Sequence, residues 1–593
     1  MLKQLQTIDT LVFMALLLVM PLAGIIVAMR NKNAEKYFLA GRSVKWWAVA
    51  GSIFGTNVSS FHLIGMLGIG YSIGFVQAHY EIVFPAILLL CYVFVATYRK
   101  MNVFTLSQYL EIRFNATARL IYSVLLVAII LIQLVGAFYV GSITLQWLLQ
   151  GNDFQINYVQ SLFIIGCITC SYTLWGGMES VVVTDTIQTI MMLAAGLTVA
   201  YFTFAQPEIG GFGGLLRLDA AQPITAQKMH LYLPANHPNL PWTGIFTGLM
   251  LQHCFNFTTN QFLVQRVLAA SSDSDARKGV IASGFLKLMI PFFSISAGVA
   301  AFYLFKARFG NTVDFNADNA FLKLIETVIP QGVGLTGMIL AGLTAATFSS
   351  VDSMMNAATT LLSVDVYQKY IKPQATDKQL LRFSRLMILI LVVAAILTAW
   401  LTFTPEKSNN FFLKISAQLS YFTPGIMVAF FFGVLWRKTS SLGAVLAMVL
   451  APIFGLLAEW LYGHYFASPT AFFGENLNFM HRIGLTFAFS SAILLLVSAL
   501  QPADGKGHAA LKLDVDFKHI GKQIGFFILI QLGLQFIARW SGLSPQLIAP
   551  WAAAGAWLPF LIQIEDKNNM LADDKFWAGL LTAASVCIYY FFV

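Results

Sequence analysis

Apolar runs of roughly 20 residues recur along the whole chain, and this recurrence leaves few folds open. A helix of that length crosses about 30 Å of hydrocarbon. Inside a bilayer every backbone donor and acceptor must be satisfied within the protein, which restricts spanning segments to helices or closed barrels. The alternating ten-residue strands of a barrel are not seen. The chain therefore reads as an all-α polytopic membrane protein. Its composition agrees: 58% of the 593 residues are hydrophobic and only 11% are charged, with a mean hydropathy of +0.72, which excludes a soluble multidomain protein. The net charge of +9 does not imply nucleic acid, because the basic residues stand singly or in pairs between apolar spans. The five cysteines, Cys91, Cys167, Cys170, Cys254 and Cys587, fall in apolar segments and read as small packing residues rather than a metal or redox centre.

The first apolar run, 11–29, lacks a small-residue cleavage pattern and ends in Arg30, Lys32 and Lys36, so a retained helix is expected rather than a signal peptide. Five segments follow at 45–72, 76–97, 117–148, 158–175 and 180–204, then a polar, proline-containing loop from Gln206 to Pro241. Five more lie at 242–264, 279–305, 333–368, 383–403 and 409–435, two at 442–463 and 477–500, and three beyond a hydrophilic linker at 523–540, 546–563 and 574–593. The total is about sixteen crossings. With the N-terminus outside, the clusters Arg30/Lys32/Lys36/Arg42/Lys45, Arg99/Lys100/Arg113/Arg119, Arg266/Arg277/Lys278, Lys369/Lys372/Lys378/Arg382/Arg385 and Arg437/Lys438 all face the cytoplasm. The expected organisation is an extra helix and loop (1–42), a five-helix unit (43–204), an outer loop (205–241), a second five-helix unit (242–438), two accessory helices (439–500), a linker (501–522) and C-terminal helices (523–593).

The first helix of the first unit is a poor continuous membrane helix. Between Gly51 and Gly74 it carries Asn57, Ser59, Ser60, His62 and glycines at 55, 65, 68 and 70. Such a stretch either breaks at membrane depth to expose carbonyls and amides to a solute, or forms a small-residue packing seam. The first helix of the second unit is also polar in its middle, from Gln252 to Gln261. Paired interrupted helices opening two halves point to an inverted-repeat transporter.

At these residues the chain resembles the sodium:solute symporter family, and within it the sodium/sugar cotransporter branch. The stretches that carry the resemblance are FLAGRSVKWWAVAGSIFGTNVSSFHLIG from Phe38, HYE from His79, YTLWGGMESVVVTDTIQ from Tyr172, NQFLVQRVLAAS from Asn260, FLKLMIP from Phe285, LTAATFSSVDSMMNAATTL from Leu343 and TPGIMVAFFFGVLWRKTSS from Thr423. It implies a LeuT-type fold: a 5+5 inverted-repeat core with one extra N-terminal and several extra C-terminal helices, about 14 to 16 spans in all.

Ala346, Ser349 and Ser350 stand at i, i+3 and i+4, on one helical face, and a break near Asn57 would free carbonyls at Gly55 and Val58. Oxygen ligands of this kind suit a hard cation. The resemblance assigns these five positions to a sodium site, through the carbonyls of Gly55, Val58 and Ala346 and the hydroxyls of Ser349 and Ser350. The plain alternative is that the serines bond to their own backbone four residues back. Asp185 is a carboxylate inside an apolar span, which is costly and so functional by default. Some family members hold a second sodium, and Asp185, Ser349, Asp352 and Ser353 match that set; a protonated aspartate serving structure or proton coupling is the competing reading.

Asn57, His62, Glu81 and Lys287 match the sugar-contacting positions of the cotransporter branch, and their chemistry suits hydroxyl groups that both donate and accept. Two departures affect the substrate. Asn256, before Phe257, stands where the branch has a gating tyrosine, and Ser416 stands where it has a sugar-binding glutamine, although Gln418 is near. A hexose is the expected solute, with a modified sugar, an inositol or a sugar acid as alternatives. The expected partners are sodium, one ion or two, a small solute and the lipid bilayer, with no nucleic acid. The expected location is a bacterial inner membrane. A sensor with the same fold, an ion channel and an enzyme are the rival classes, and no activated nucleophile or metal-ligand motif supports the last.

Overall fold

The computed structural model describes residues 6–28, 34–58, 60–149, 156–310, 317–402, 411–468, 471–501, 517–564 and 567–593. Ser59, Arg30, Lys32 and most of the expected 501–522 linker lie outside the described residues. Among those described, the chain is helical, and an isolated bridge between Val44 and Ala270 is the only β pairing. Within the described residues ten helices are long and apolar enough to cross a membrane, or up to twelve if each of two bent pairs is one span. This count is smaller than the expected number of about sixteen because neighbouring helices run together or fall short. Segments 158–175 and 180–204 are two helices that meet within the run Tyr158–Phe204, at Gly177, whose φ of 55° no right-handed helix contains. Segments 242–264, 546–563 and 574–593 are helical but interrupted, shorter or less apolar.

Helix α1 is Thr7–Ala28. The glycine-rich stretch divides into α2, Trp46–Asn57, and α3, Ser60–Ser72, bent by 58° at Val58, whose φ of −99° and ψ of 104° are extended. Both readings of its glycines hold at different positions. The chain breaks after Asn57, while a β-carbon on Gly70 would lie 2.2 Å from the carbonyl oxygen of Ile295, so that end is a packing seam. Next come α4, Phe75–Lys100, which opens with a 3-10 turn; α5, Ala116–Leu149; and α6, Tyr158–Phe204. The polar middle of the second unit is wound as π turns, with Met250–Cys254 between them, and breaks at Asn260, where φ is −93° and ψ is 116°. Single π turns recur at functional sites because the extra residue redirects side chains and frees carbonyls.

Helices α7, Asp273–Phe309, and α8, Leu335–Ile371, follow; α8 is almost entirely buried. A second bend, of 53°, separates α9, Phe411–Leu419, from α10, Thr423–Leu435, within what the sequence presents as one apolar segment. Helices α11, Ser441–Tyr465, and α12, Phe479–Leu500, are accessory, and α13, Phe517–Ser541, α14, Pro545–Leu561, and α15, Asp574–Phe591, complete the chain.

The added helices are fastened to the rest of the fold by polar groups, several of them buried. Asp9 of α1 accepts the backbone N–H groups of Gly332 (2.7 Å) and Gly334 (2.9 Å), placing a carboxylate at the N-terminus of α8, where the helix dipole favours it. Arg482 of α12 is buried and donates to the carbonyl of Ala417 (2.7 Å) and to Ser420 Oγ (2.6 Å) at the α9/α10 bend, while also pairing with Glu459 of α11. In α15, Asp574 pairs with Arg277 of α7 at 2.8 Å. His79 Nε2 donates to the Leu231 carbonyl (2.8 Å), leaving Nδ1 to accept from the Tyr589 hydroxyl (3.4 Å), and the Leu231 N–H donates to the Phe592 carbonyl (2.8 Å).

Three arginines expected among cytoplasmic surface charges are instead buried and bonded. Arg113 donates to the carbonyls of Gly433 and Trp436, Arg119 pairs with the buried Asp365, and Arg266 is fully buried. Each guanidinium finds partners inside the protein that a surface charge would find in water. Cys167, read as a packing residue, is exposed.

Candidate functional site

The break at Val58 brings the end of α2 against α6 and α8. A β-carbon on Gly55 would lie 2.8 Å from Thr189 Oγ1, 2.9 Å from the Asp185 carbonyl oxygen and 3.2 Å from Ser349 Oγ, so only glycine admits this approach. Ser350 donates to the Ala346 carbonyl (3.2 Å), the local backbone bond that the plain reading anticipates. Ser349 donates instead to Asp185 Oδ1. A hydroxyl that donates its hydrogen bond keeps its lone pairs for another partner, so neither bond competes with cation coordination.

Asp185, Ser349, Asp352 and Ser353 also meet, within a larger buried network. Asp185 accepts from Ser52 (2.5 Å), from Thr56 (3.1 Å) and from Ser349, and Arg266 reaches its Oδ2 at 3.3 Å. Arg266 also donates to Ser353 Oγ, to Ser52 Oγ (3.1 Å) and to the Phe262 carbonyl. Asp352 accepts from the Tyr172 hydroxyl (2.8 Å) and from Ser353 (3.2 Å). Two carboxylates and one guanidinium thus share a buried site, held together by hydrogen bonds that offset part of the cost of burying charge.

Beside this network lies a cavity of about 150 Å³. Asn57, His62, Asn256, Phe257, Lys287, Ser350 and Ser416 all line it. Lys287 Nζ is 2.7 Å from Glu81 Oε2 and donates to Asn57 Oδ1 at 2.6 Å, and His62 Nε2 is 4.0 Å from Glu81 Oε1. Glu81, with no exposed side-chain surface, is a buried counter-ion to Lys287 rather than part of the cavity wall. Gln418 does not reach the cavity and is exposed. Two residues along a helix turn the side chain by about 200°, so Ser416 and Gln418 face opposite ways.

Residues 37–451 match the sodium:solute symporter family. The chain belongs to that family. The symporter is 29% identical to the sodium/glucose cotransporter of Vibrio parahaemolyticus over 80% of its own length and 87% of that protein. It is likewise 29% identical to the sodium/myo-inositol cotransporter 2 of Oryctolagus cuniculus, over 74% of its own length and 67% of the relative. Among solved structures, a Na+-coupled sialic acid symporter in a substrate-bound outward-open state superposes with a TM-score of 0.71 at 21% identity, covering 84% of this chain and 98% of that one. This likeness establishes the fold, the LeuT type with two inverted five-helix repeats. The protein is a multi-pass membrane symporter that uses sodium.

Sequence reasoning misses several groups at the candidate site. Arg266 sits in NQFLVQRVLAAS, where its charge reads as a topology signal, and Tyr172 opens YTLWGGMESVVVTDTIQ. Gln133, Gln252 and His253 also line the cavity. Both ring nitrogens of His253 are buried without a hydrogen-bond partner. The signal is present in the last case, in the polar run from Gln252, but only the π winding shows which of its members face the cavity.

Proposed function

We propose that the protein imports a neutral polyol, a hexose or an inositol, together with sodium, by alternating access across a bacterial inner membrane. The observation that carries the choice of a neutral solute is the pairing of Lys287. Its ammonium is engaged by the Glu81 carboxylate and the Asn57 amide, so no unpaired cation remains among the described cavity residues to hold an acid. The remaining wall of amide, imidazole and hydroxyl groups beside Phe257 suits hydroxyls and a ring face. The names of the relatives, sodium/glucose and sodium/myo-inositol cotransporters, agree with that chemistry.

In this reading the first sodium takes the carbonyls of Gly55, Val58 and Ala346 and the hydroxyls of Ser349 and Ser350. Its binding ties the end of α2 to α8 and favours the state in which the cavity is open to the outside. The solute then enters against Asn57, His62, Asn256, Phe257, Lys287 and Ser416, with Glu81 holding Lys287 in place. Coupling needs only that ion and solute favour the same conformations. A membrane potential adds about 2.3 kcal/mol per charge per 100 mV. At the neighbouring set, two carboxylates face one guanidinium, and the remaining negative charge accommodates a second sodium at Asp185, Ser349, Asp352 and Ser353.

The test is uptake of radiolabelled hexoses, inositols and sugar acids into proteoliposomes, with and without an inward sodium gradient, in wild type and Ser350→Ala. Sodium-driven accumulation of a neutral polyol, lost in the variant, is the expected result, with a Hill slope above one in sodium if two ions bind. Accumulation of an acid alone would overturn the neutral-solute reading. Accumulation of nothing would favour a sensor.

A further inference from the structure

Two side-chain amides on the cavity wall are used neither by the cation sets nor by the group around Lys287. Gln133 comes from α5 and Gln252 from the polar segment Met250–Cys254, elements that carry none of Asn57, His62, Glu81 or Lys287. The amide oxygen of each is buried and has no hydrogen-bond partner in the protein. Gln252 is 6% exposed, so this oxygen is not simply turned to bulk water. A buried acceptor without a donor is unfavourable, and native structures rarely keep one without a use. Two such acceptors at one cavity define what would relieve them: a bound molecule that brings two hydrogen-bond donors to this wall. Each amide also offers N–H groups in the plane of its oxygen, so a single glutamine can accept from one hydroxyl and donate to its neighbour.

We propose that Gln133 and Gln252 form a second polar subsite, which receives hydroxyl groups of the solute other than those met by Asn57 and Lys287. The proposal rests on the reading that the cavity holds a polyol, and it narrows that reading. The solute must present hydroxyls toward two separate groups of elements, as a hexose or a ring polyol does and a solute polar at one end does not. The α5 wall is then a specificity determinant, reading hydroxyl positions independently of sodium.

The experiment measures sodium-driven uptake into proteoliposomes of D-glucose, D-galactose and myo-inositol, and of the monodeoxy analogues of whichever is carried, by wild type, Gln133→Met and Gln252→Met. Methionine keeps the length of the side chain and removes the amide. For the parent polyol each variant is expected to raise KM about tenfold to a hundredfold, equivalent to about 1.4 to 2.8 kcal/mol at 1.4 kcal/mol per tenfold. The maximal rate and the sodium concentration for half-saturation should stay near wild type. For the one analogue that lacks the contacted hydroxyl, wild type and variant should share the same KM, a pattern that a merely structural glutamine would not produce. An unchanged parent KM would mean that water alone fills the amide sites and would overturn the subsite while leaving polyol transport standing. An equal rise in KM for every analogue would do the same. If wild type carries none of these polyols, the reading of the cavity fails and the subsite fails with it.

Discussion

Lys287→Met removes the ammonium that lies 2.7 Å from a carboxylate with no exposed side-chain surface. At that separation and an effective dielectric of about 20, the lost attraction is about 6 kcal/mol. Relaxation and water entry reduce the net effect, and removing one partner of a buried pair typically costs about 3–5 kcal/mol, because the other charge is left uncompensated. Replacing both partners with well-packed apolar groups is often close to neutral. The double variant Glu81→Met/Lys287→Met should therefore recover most of the stability that the single variant loses, apart from about 1 kcal/mol for the donor that Asn57 also loses. Unfolding titrations of purified protein in micelles, run beside uptake in proteoliposomes, separate the two roles of the pair. Stability should fall in the single variant and return in the double, while transport is lost in both. A single variant within about 1 kcal/mol of wild type, or a double variant whose loss is the sum of two large losses, would refute the view of Lys287 and Glu81 as a mutually compensating buried pair.

Ser349→Ala removes a hydroxyl shared between the two proposed cation sets, and uptake assays should show the sodium half-saturation rising at least about tenfold, more than the solute KM does. Arg482→Met removes the donor to the Ala417 carbonyl and Ser420 at the α9/α10 bend, so hydrogen exchange over residues 417–421 should quicken relative to α10. His237, in the loop before residue 242, accepts the N–H groups of Asn239 (3.3 Å) and Leu240 (3.1 Å) on Nδ1, and burial lowers its pKa. A base whose pKa is lowered on folding binds its proton more readily in the open turn. The turn is thus firm above the ordinary value of about 6.5 and loosens as pH falls below it, which exchange of the 239–240 amides at pH 7.5 and 5.5, corrected for intrinsic rates, should show.

Much of the scaffold was legible because membrane helices advertise themselves by length and hydropathy, and because Gly55, Asn57 and Ser60 close together mark a stretch that either breaks or packs against a neighbour. The α9/α10 bend was less visible: only Pro424, in the first turn of α10, marks it, and proline at that position also starts an ordinary helix. Pairing was hardest to read. Arg266 and Asp185 are 81 residues apart, and nothing local to either shows that one neutralises the other. Gln133 stands in an apolar run where a lone amide reads as an interruption, and Gln418 was set beside Ser416 by residue type although its helical phase turns it away from the cavity.

The fastening of His79 to Tyr589 spans 510 residues of sequence. The turn Phe75–Tyr80, which leads directly into Glu81, is made long before the helix that holds it, since α15 follows every element of both five-helix repeats. Until α15 inserts, the Tyr589 hydroxyl is missing from that turn, and the Leu231 backbone amide that ends on Phe592 has no partner there. The turn that leads into Glu81 thus reaches its final bonding only once α15 is in place. A nascent chain stalled after α14 would have both five-helix repeats in the membrane and still leave this turn without those two hydrogen bonds, which makes the docking of α15 a late step in shaping the segment that carries Glu81.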